Sequence, residues 1–239
     1  MSQSNSKLTI DEYTISHYEY SKNSGPYVLL LHGWEGNAGN MEAFVQPLIE
    51  QGFNIIAPNA PAHYSSSGSQ CTLRDYQQII VGIIQRFNPE IILSHSFGTA
   101  AAMLAMREVR PLQIQKFISI SAPDRMLDIV TAFTRFLGLS KTQEFAFLSF
   151  IEEQLDLSFE EAEVHTILSA LSVDTLIIHD ENDTIISVDN AYRVAKANHR
   201  SRLFITKGYG HYRILWNQDL INTVTNFLLE TKEQLADYS

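Results

Sequence analysis

The chain has 239 residues, of which 45% are hydrophobic and 18% charged, and its formal net charge at pH 7 is −10. This composition is typical of a globular protein with a core large enough for one large domain, and it excludes a disordered or fibrous chain. The acidic balance argues against binding to nucleic acid or to an anionic membrane, because both require clustered lysine and arginine.

The single cysteine, Cys71, rules out an internal disulfide bond and favours a reducing compartment. Residues 1–7 have neither the basic start nor the apolar centre of a signal peptide. No apolar run approaches the roughly 20 residues that span a bilayer. We therefore expect a cytoplasmic protein.

Strand and helix patterns alternate along most of the chain. Short apolar runs that end at glycine, proline or polar residues are typical of buried strands, and apolar residues at helical spacing are typical of amphipathic helices. In chain order, the pattern predicts strands over residues 13–21, 27–31, 53–57, 91–93, 114–121, 175–179 and 203–206, and helices over 41–51, 73–87, 97–107, 188–197 and 219–229. This alternation predicts an α/β fold with a mostly parallel central sheet and helices on both faces.

One interval, residues 122–173, breaks the alternation, because it contains no strand pattern and is far longer than an ordinary connection. Three apolar stripes at helical spacing run through it. The sequence therefore predicts a helical cap inserted into a core formed by residues 1–121 and 174–239.

Phenylalanines are frequent in the predicted cap. A cap at the carboxyl edge of the sheet would cover the crevice in which open α/β sheets bind ligands. Phe133, Phe136 and Phe147 are accordingly candidate substrate contacts. The alternative interpretation is that these side chains only pack the insertion onto the body of the protein.

Ser96 lies where an apolar strand gives way to a helix of small residues. A serine on such a tight turn presents its hydroxyl at the end of the sheet, in front of a helix N-terminus. It becomes an effective nucleophile only when a base removes its proton. The alternative is that Ser96 is only a helix cap, since serine is favoured there.

A base and an acid follow later strands. His211 comes after the last predicted strand, and Asp183 comes after the strand before it. Because the carboxyl ends of parallel strands lie along one edge of a sheet, we expect both side chains to converge on Ser96. Histidine suits the role of base, and a carboxylate on its other nitrogen fixes the tautomer. Asp180 is the rival candidate for the acid.

Three other histidines compete for the role of base. We expect His32 to support loop structure, His179 to be packed at the end of its strand, and His95 to line the pocket. No histidine or cysteine spacing typical of a zinc site is present, so neither a metal nor another cofactor is expected. The backbone amides of Trp34 and Phe97 are the candidate donors to an oxyanion.

These motifs resemble those of the α/β-hydrolase fold family, and the resemblance covers almost the whole chain. The order of serine, acid and histidine is that of the family. The family's elbow G-x-S-x-G, its His-Gly after a strand, its acid segment D-x-x-D-x-x-[VI] and its base segment G-x-G-H correspond to residues 94–98, 32–34, 180–186 and 208–211.

Two segments depart from the family's pattern. Ser94 replaces the first glycine of the elbow and adds a side chain at a crowded turn, which predicts strain there. The family's segment P-D-x-P-G-H-G-x-S begins here at Pro58, with Asn59 in place of the acid and Ala62 and Tyr64 in place of the glycines. We expect the second departure to affect substrate fit more than chemistry.

The resemblance implies a serine hydrolase that cleaves a carboxylic ester or thioester of a fairly apolar small molecule through an acyl-enzyme. A serine nucleophile disfavours the family's haloalkane and epoxide branches, and it leaves carboxylesterase, thioesterase, acyltransferase, carbon–carbon hydrolase and peptidase activities open. The alternative from another class is a ligand-binding or interaction protein that has kept the fold without turnover.

Overall fold

A computed structural model describes residues 3–21 and 24–230, and these residues form an eight-stranded sheet. In chain order the strands are β1 (Gln3–Ile10), β2 (Tyr13–Tyr20), β3 (Tyr27–Leu31), β4 (Asn54–Pro58), β5 (Ile91–His95), β6 (Lys116–Ile120), β7 (Asp174–Asp180) and β8 (Ser201–Thr206). In space they are ordered β1-β2-β4-β3-β5-β6-β7-β8. β2 is antiparallel to both of its neighbours, β1 and β4. The six strands β3 to β8 all run parallel to one another.

Helices cover both faces of the sheet, so the predicted fold class is confirmed. They are α1 (Glu42–Glu50), α2 (Leu73–Phe87), α3 (Phe97–Glu108), α4 (Met126–Phe136), α5 (Lys141–Leu155), α6 (Val164–Ser169), α7 (Asp189–Ala197), α8 (Gly210–Arg213) and α9 (Gln218–Leu229). Two short 3-10 turns, Ala38–Met41 and Ile214–Trp216, complete the described elements.

The central strands are apolar at successive positions because both of their faces are buried. In β3, Leu29 and Leu31 belong to the core on the side of α2 and α3, whereas Val28 and Leu30 belong to the core on the side of α1 and α9. Side chains that alternate between two buried faces explain why these strands are continuous apolar runs.

The edge strand β1 is the main element that the sequence pattern did not predict. Most residues of Gln3–Ile10 are polar, so they give no apolar run, yet they pair with β2 along its whole length. Residues 1, 2, 22, 23 and 231–239, which belong to the predicted core range, lie outside the described residues. The prediction that residues 1–7 are not a signal peptide therefore also falls partly outside the described residues.

Residues between β6 and β7 form the three helices α4, α5 and α6. α4 packs against α5, whereas α6 contacts α3 and α7. Val164, Ile167 and Leu168 are buried in the main core, so α6 packs with the body of the protein. Within the described ranges, no helix has the length and apolarity that a bilayer crossing requires.

Candidate active site

Ser96 is held on a sharp turn between β5 and α3. Its backbone angles, φ 51° and ψ −122°, are rare for a residue with a side chain. The turn is fixed by its surroundings, because Ser96 N–H donates to the carbonyl O of Ile120 at 2.9 Å and its own carbonyl accepts from Thr99 N–H at 2.9 Å. Strain of this kind persists only where the neighbouring structure determines the conformation, and it is concentrated at functional sites.

Two glycines allow the backbone to pass close to this turn. A Cβ at Gly98 would lie 2.5 Å from the carbonyl O of His32, so α3 packs directly against the end of β3. A Cβ at Gly33 would lie 2.9 Å from His95 Nδ1. Side chains at these positions would push the segment that carries Trp34 away from Ser96.

The departure at Ser94 is accommodated by hydrogen bonds. The side chain is fully buried, and its hydroxyl donates to the carbonyl O of Ile118 at 3.1 Å and accepts from the Thr99 hydroxyl at 2.9 Å. The extra hydroxyl therefore has partners on both the strand and the helix next to the turn. A buried hydroxyl with partners avoids the penalty of an unpaired polar group.

The structure brings Ser96, His211 and Asp183 together at the carboxyl edge of the sheet. Ser96 Oγ lies 3.0 Å from His211 Nε2, and His211 Nδ1 lies 2.7 Å from Asp183 Oδ2. Because the carboxylate accepts the proton on Nδ1, Nε2 is left to accept the proton of the serine hydroxyl. All three residues are buried. This arrangement has the geometry of a nucleophile, a base and an orienting acid.

Asp183 is held by contacts on both of its oxygens. Oδ1 accepts the backbone N–H groups of Ile185 and Ile186 at 2.9 Å each, and His179 Nε2 lies 3.4 Å from Oδ2. Burial would raise the pKa of the Asp183 carboxyl, but the hydrogen bonds from His179, His211 and Ile186 outweigh it and hold this pKa below its ordinary value. Asp183 is therefore an ionised partner for His211.

Asp180, the rival acid, has a different place in the site. Its fully buried carboxylate accepts the Thr206 hydroxyl at 2.7 Å and backbone N–H groups at 3.0–3.2 Å from the loop before His211, those of Gly208, Tyr209 and Gly210. Burial would raise the pKa of Asp180, but these hydrogen bonds, led by that of Gly210, lower it. Asp180 thus fixes the loop that carries the base. The sequence identified Asp180 as a candidate acid but not as the support of this loop.

His95 and His32 have other partners and do not compete for the proton of Ser96. His95 lines the cavity next to Ser96, and its Nε2 donates to the carbonyl O of His211 at 2.9 Å. His32 Nε2 accepts Ala60 N–H at 2.9 Å, and its Nδ1 donates to the carbonyl O of Gly33 at 2.8 Å, so it supports two loops. Burial lowers the pKa of His95 to about 3 and that of His32 to about 4, so both imidazoles are neutral near pH 7.

Trp34 and Phe97, whose amides are the candidate oxyanion donors, line the same cavity as Ser96. Within the described part of the chain, neither backbone N–H donates a hydrogen bond to another group. Phe97 is the first residue of α3, where helical N–H groups have no acceptor in the helix itself. Both amides are therefore free to bind an oxygen at this end of the cavity.

The cavity next to Ser96 has a volume of about 430 Å³ and a largely apolar wall. Its wall away from Ser96 comes from α4 and α5, through Met126, Ile129, Val130, Phe133, Phe147 and Ile151. Two of the three predicted phenylalanine contacts, Phe133 and Phe147, are thus in this wall. The prediction for Phe136 is wrong: it does not line the cavity and is 86% exposed. It is the last residue of α4, and helical periodicity by itself does not reveal that the apolar stripe ends in solvent there.

The loop after β4 shows how the departures from the family's pattern are accommodated. The Asn59 side chain accepts Ala38 N–H at 2.8 Å, and its N–H₂ group donates to the hydroxyl of Ser16 at 2.8 Å and to the carbonyl O of Ser16 at 3.3 Å. An aspartate has no N–H to donate to that carbonyl. Ala62 and Tyr64 have φ values of 60° and 51°, so they adopt the left-handed backbone that glycine favours. The loop therefore keeps these turns without glycine.

Comparison with known proteins identifies the family to which this fold belongs. The sequence model of the alpha/beta hydrolase fold family matches residues 26–150, which are just over half of the chain. The chain belongs to the α/β-hydrolase fold family.

Curated relatives of this α/β hydrolase align over parts of their length. A human serine hydrolase-like protein is 30% identical over 128 residues, which are 51% of this chain and 62% of that protein. AB hydrolase superfamily protein YfhM of Bacillus subtilis is 30% identical over 111 residues, which are 43% of this chain and 37% of that protein. The chain therefore matches less than two thirds of the length of these relatives.

Solved structures extend the likeness to nearly the whole fold. The mouse alpha/beta hydrolase domain-containing protein 10 has a TM-score of 0.75 at 18% identity, with 98% of each chain covered. Est1E of Butyrivibrio proteoclasticus, solved with ferulic acid bound, has a TM-score of 0.72 at 19% identity, with 97% of this chain and 99% of that chain covered. At such identities the likeness is one of fold.

Proposed function

We propose that this protein is a serine hydrolase that cleaves a carboxylic ester or thioester of a fairly apolar small molecule. The observation that carries the proposal is the chain of contacts from Ser96 Oγ to His211 Nε2 at 3.0 Å and from His211 Nδ1 to Asp183 Oδ2 at 2.7 Å. Such a chain removes the proton of the nucleophile as it attacks and stabilises the imidazolium that forms.

The reaction proceeds in two halves. Ser96 Oγ attacks the carbonyl carbon while its proton moves to His211 Nε2, and the carbonyl oxygen becomes an oxyanion that the N–H groups of Trp34 and Phe97 bind. When the tetrahedral intermediate collapses, the alcohol or thiol leaves with the proton from His211. A water then attacks the acyl group on Ser96 with the same base, and the carboxylic acid is released.

The substrate class follows from the wall of the cavity. Between α4, α5 and Ser96 the cavity is lined mainly by hydrocarbon and aromatic groups, so transfer of an apolar acyl group from water into it is favourable. We assign the covering role of the predicted cap to α4 and α5, since both contribute to this wall. The volume of about 430 Å³ suits a medium-sized acyl group.

Labelling by a fluorophosphonate probe tests the proposal directly. The probe is expected to label wild-type protein stoichiometrically, and Ser96→Ala is expected not to be labelled. His211→Ala and Asp183→Asn are expected to lower the labelling rate and the kcat for aryl esters by about 10³- to 10⁴-fold. Circular dichroism confirms that each variant is folded.

The alternative, a ligand-binding protein without turnover, makes the opposite prediction. Folded wild-type protein would then resist the probe and hydrolyse neither aryl esters nor acyl thioesters across a series of chain lengths. That result would overturn the proposed function.

A further inference from the structure

A second pocket, with a volume of about 240 Å³, adjoins the apolar cavity. The two share Trp34, His95 and Tyr212 as lining residues, so they lie next to each other beside Ser96. The second pocket is further lined by Glu35, Asn40 and Trp216. It is not needed for the acyl group, which the apolar cavity holds.

Aromatic rings and one carboxylate characterise this second pocket. Trp34, Tyr212 and Trp216 are 51%, 56% and 57% exposed, so large parts of their rings face solvent. Large exposed aromatic side chains that surround one concavity are typical of a binding site. Ring faces together with a carboxylate are the combination that recognises an alkylammonium group.

The charge of the pocket also favours a cation. His95 carries no charge there, because burial lowers its pKa to about 3 and outweighs the hydrogen bond that its Nε2–H donates to the carbonyl O of His211. Arg213, next to Tyr212 in sequence, is directed elsewhere, since its guanidinium donates to the carbonyls of Gly208 and Tyr209. Within the described ranges, Glu35 forms no ion pair with a lysine, arginine or histidine. Among the described residues that line the pocket, Glu35 is the only one with a charged side chain.

Glu35 is held in position by its backbone. Its φ of 55° lies in the left-handed region, which residues other than glycine seldom adopt. The loop is fixed by a hydrogen bond from Glu35 N–H to His63 Nε2 at 3.2 Å. The positive φ of Glu35 closes the turn from Gly33 to Gly36, in which Gly36 N–H donates to the carbonyl O of Gly33 at 3.2 Å.

We propose that this pocket binds the alkylammonium group of a cationic leaving group, so that the substrate is the ester of an apolar acid with an amino alcohol or a quaternary ammonium alcohol. The inference rests on the proposed function, since it places the acyl group in the apolar cavity and the cationic alcohol beyond Trp34 and Tyr212. Hydrolysis then releases the ammonium alcohol with a proton from His211.

Tryptophan fluorescence provides a test that does not depend on turnover. The chain contains two tryptophans, and both Trp34 and Trp216 line this pocket. Choline, titrated at constant ionic strength, is expected to change the emission in a saturable manner. Its neutral isostere 3,3-dimethylbutan-1-ol is expected to bind roughly tenfold more weakly. Glu35→Gln is expected to remove this difference, whereas Glu12→Gln, a matched change in the exposed turn between β1 and β2, is expected to leave it unchanged.

Kinetics with a matched pair of esters test the role of the pocket in the reaction. For one acyl chain, kcat/KM is expected to be about tenfold higher for the choline ester than for the 3,3-dimethylbutyl ester in wild type, and similar for the two in Glu35→Gln. Glu35→Gly, which also relieves the backbone strain, is expected to abolish the preference while remaining folded. Glu12→Gln is again the control, and its activity on both esters is expected to equal that of wild type.

Four results would overturn this inference. Equal binding of choline and its neutral isostere, or a preference that Glu35→Gln retains, would mean that the pocket does not recognise a cation. Turnover of both esters at equal rates would reject the cationic leaving group while the proposed hydrolase function stands. Choline binding without turnover of any ester would reject both the leaving-group role and the proposed function.

Discussion

The carboxylate of Asp180 accepts the backbone N–H of Gly210 at 3.0 Å, directly before His211 in the chain. The same carboxylate binds Thr206 at the end of β8, so it connects the strand to the start of α8. Asp183, three residues later, contacts the His211 ring itself. Two carboxylates therefore position the base: Asp180 at the end of β7 binds the backbone before His211, and Asp183 in the following loop binds its imidazole.

Replacement of Asp180 by asparagine tests the support of this loop. Asn keeps one acceptor oxygen but turns an N–H₂ group toward donors, so we expect the free energy of unfolding to fall by about 1–3 kcal/mol. We also expect kcat to fall about tenfold or more while KM changes little, because the base is displaced but the cavity is intact. Urea unfolding and ester kinetics measure the two effects. Asp219→Asn, an exposed change in α9, is the control, and an unaltered kcat in Asp180→Asn would contradict the role.

Because the turn at Ser96 is strained, we expect a substitution that relieves the strain to be more stable than one that keeps it. Ser96→Gly allows a backbone with φ of 51° at little cost, whereas Ser96→Ala keeps the Cβ and the strain. We expect the glycine variant to be about 1 kcal/mol more stable than the alanine variant, after allowance for the greater entropy of glycine in the unfolded chain. Both variants are expected to be inactive. Equal free energies of unfolding for the two would show that the turn is not strained.

Because His32 and His95 are buried and neutral, we expect the folded protein to lose stability in mild acid. In the folded protein the pKa values of His32 and His95 are lowered to about 4 and about 3, whereas unfolded histidine titrates near 6.5. Between these values the unfolded chain binds protons that the folded chain does not, so the free energy of unfolding falls as pH decreases from about 6.5 to 4. The slope is at most about 1.4 kcal/mol per pH unit for each histidine.

Chemical unfolding at a series of pH values measures this slope. His32→Gln is expected to lower stability at pH 7, because it disturbs two loop contacts, but to make the slope between pH 6.5 and 4 shallower. His199→Gln, at an exposed position, serves as the control. A slope that His32→Gln leaves unaltered would contradict the assignment of a buried neutral imidazole.

Two phenylalanines between β6 and β7, one in the cavity wall and one exposed, allow a matched test of where the acyl group binds. Phe147 lines the apolar cavity and Phe136 is exposed. We expect Phe147→Ala to lower kcat/KM for medium-chain acyl esters about five- to fiftyfold and to affect acetyl esters little, because it removes apolar contact with the chain only. Phe136→Ala is expected to leave the whole chain-length series unchanged. A similar effect of the two variants would mean that the acyl group does not lie in this cavity.

The sequence predicted the parts of the fold in which local pattern and burial coincide. The predicted range of α2, residues 73–87, has the bounds of the observed helix, which has a Thr72–Asp75 capping box at its start and Asn88 in the left-handed conformation after its end. β1 was missed because it is an edge strand whose polar residues are stabilised by backbone pairing with β2. Phe136 was misassigned because helical periodicity identifies an apolar stripe but does not show which residues of the stripe pack against the rest of the protein.

The sequence by itself determined which residue types stand at the ends of which strands, and hence that Ser96, Asp183 and His211 are available at one edge of a parallel sheet. Only the tertiary structure decided which aspartate contacts the imidazole and which fixes the loop, because the two lie three residues apart at the end of the same strand. It also decided that Glu35, Trp34 and Trp216 share one pocket. Residues 34 and 216 are brought together by the order of strands in the sheet, and no local pattern in the sequence encodes that proximity.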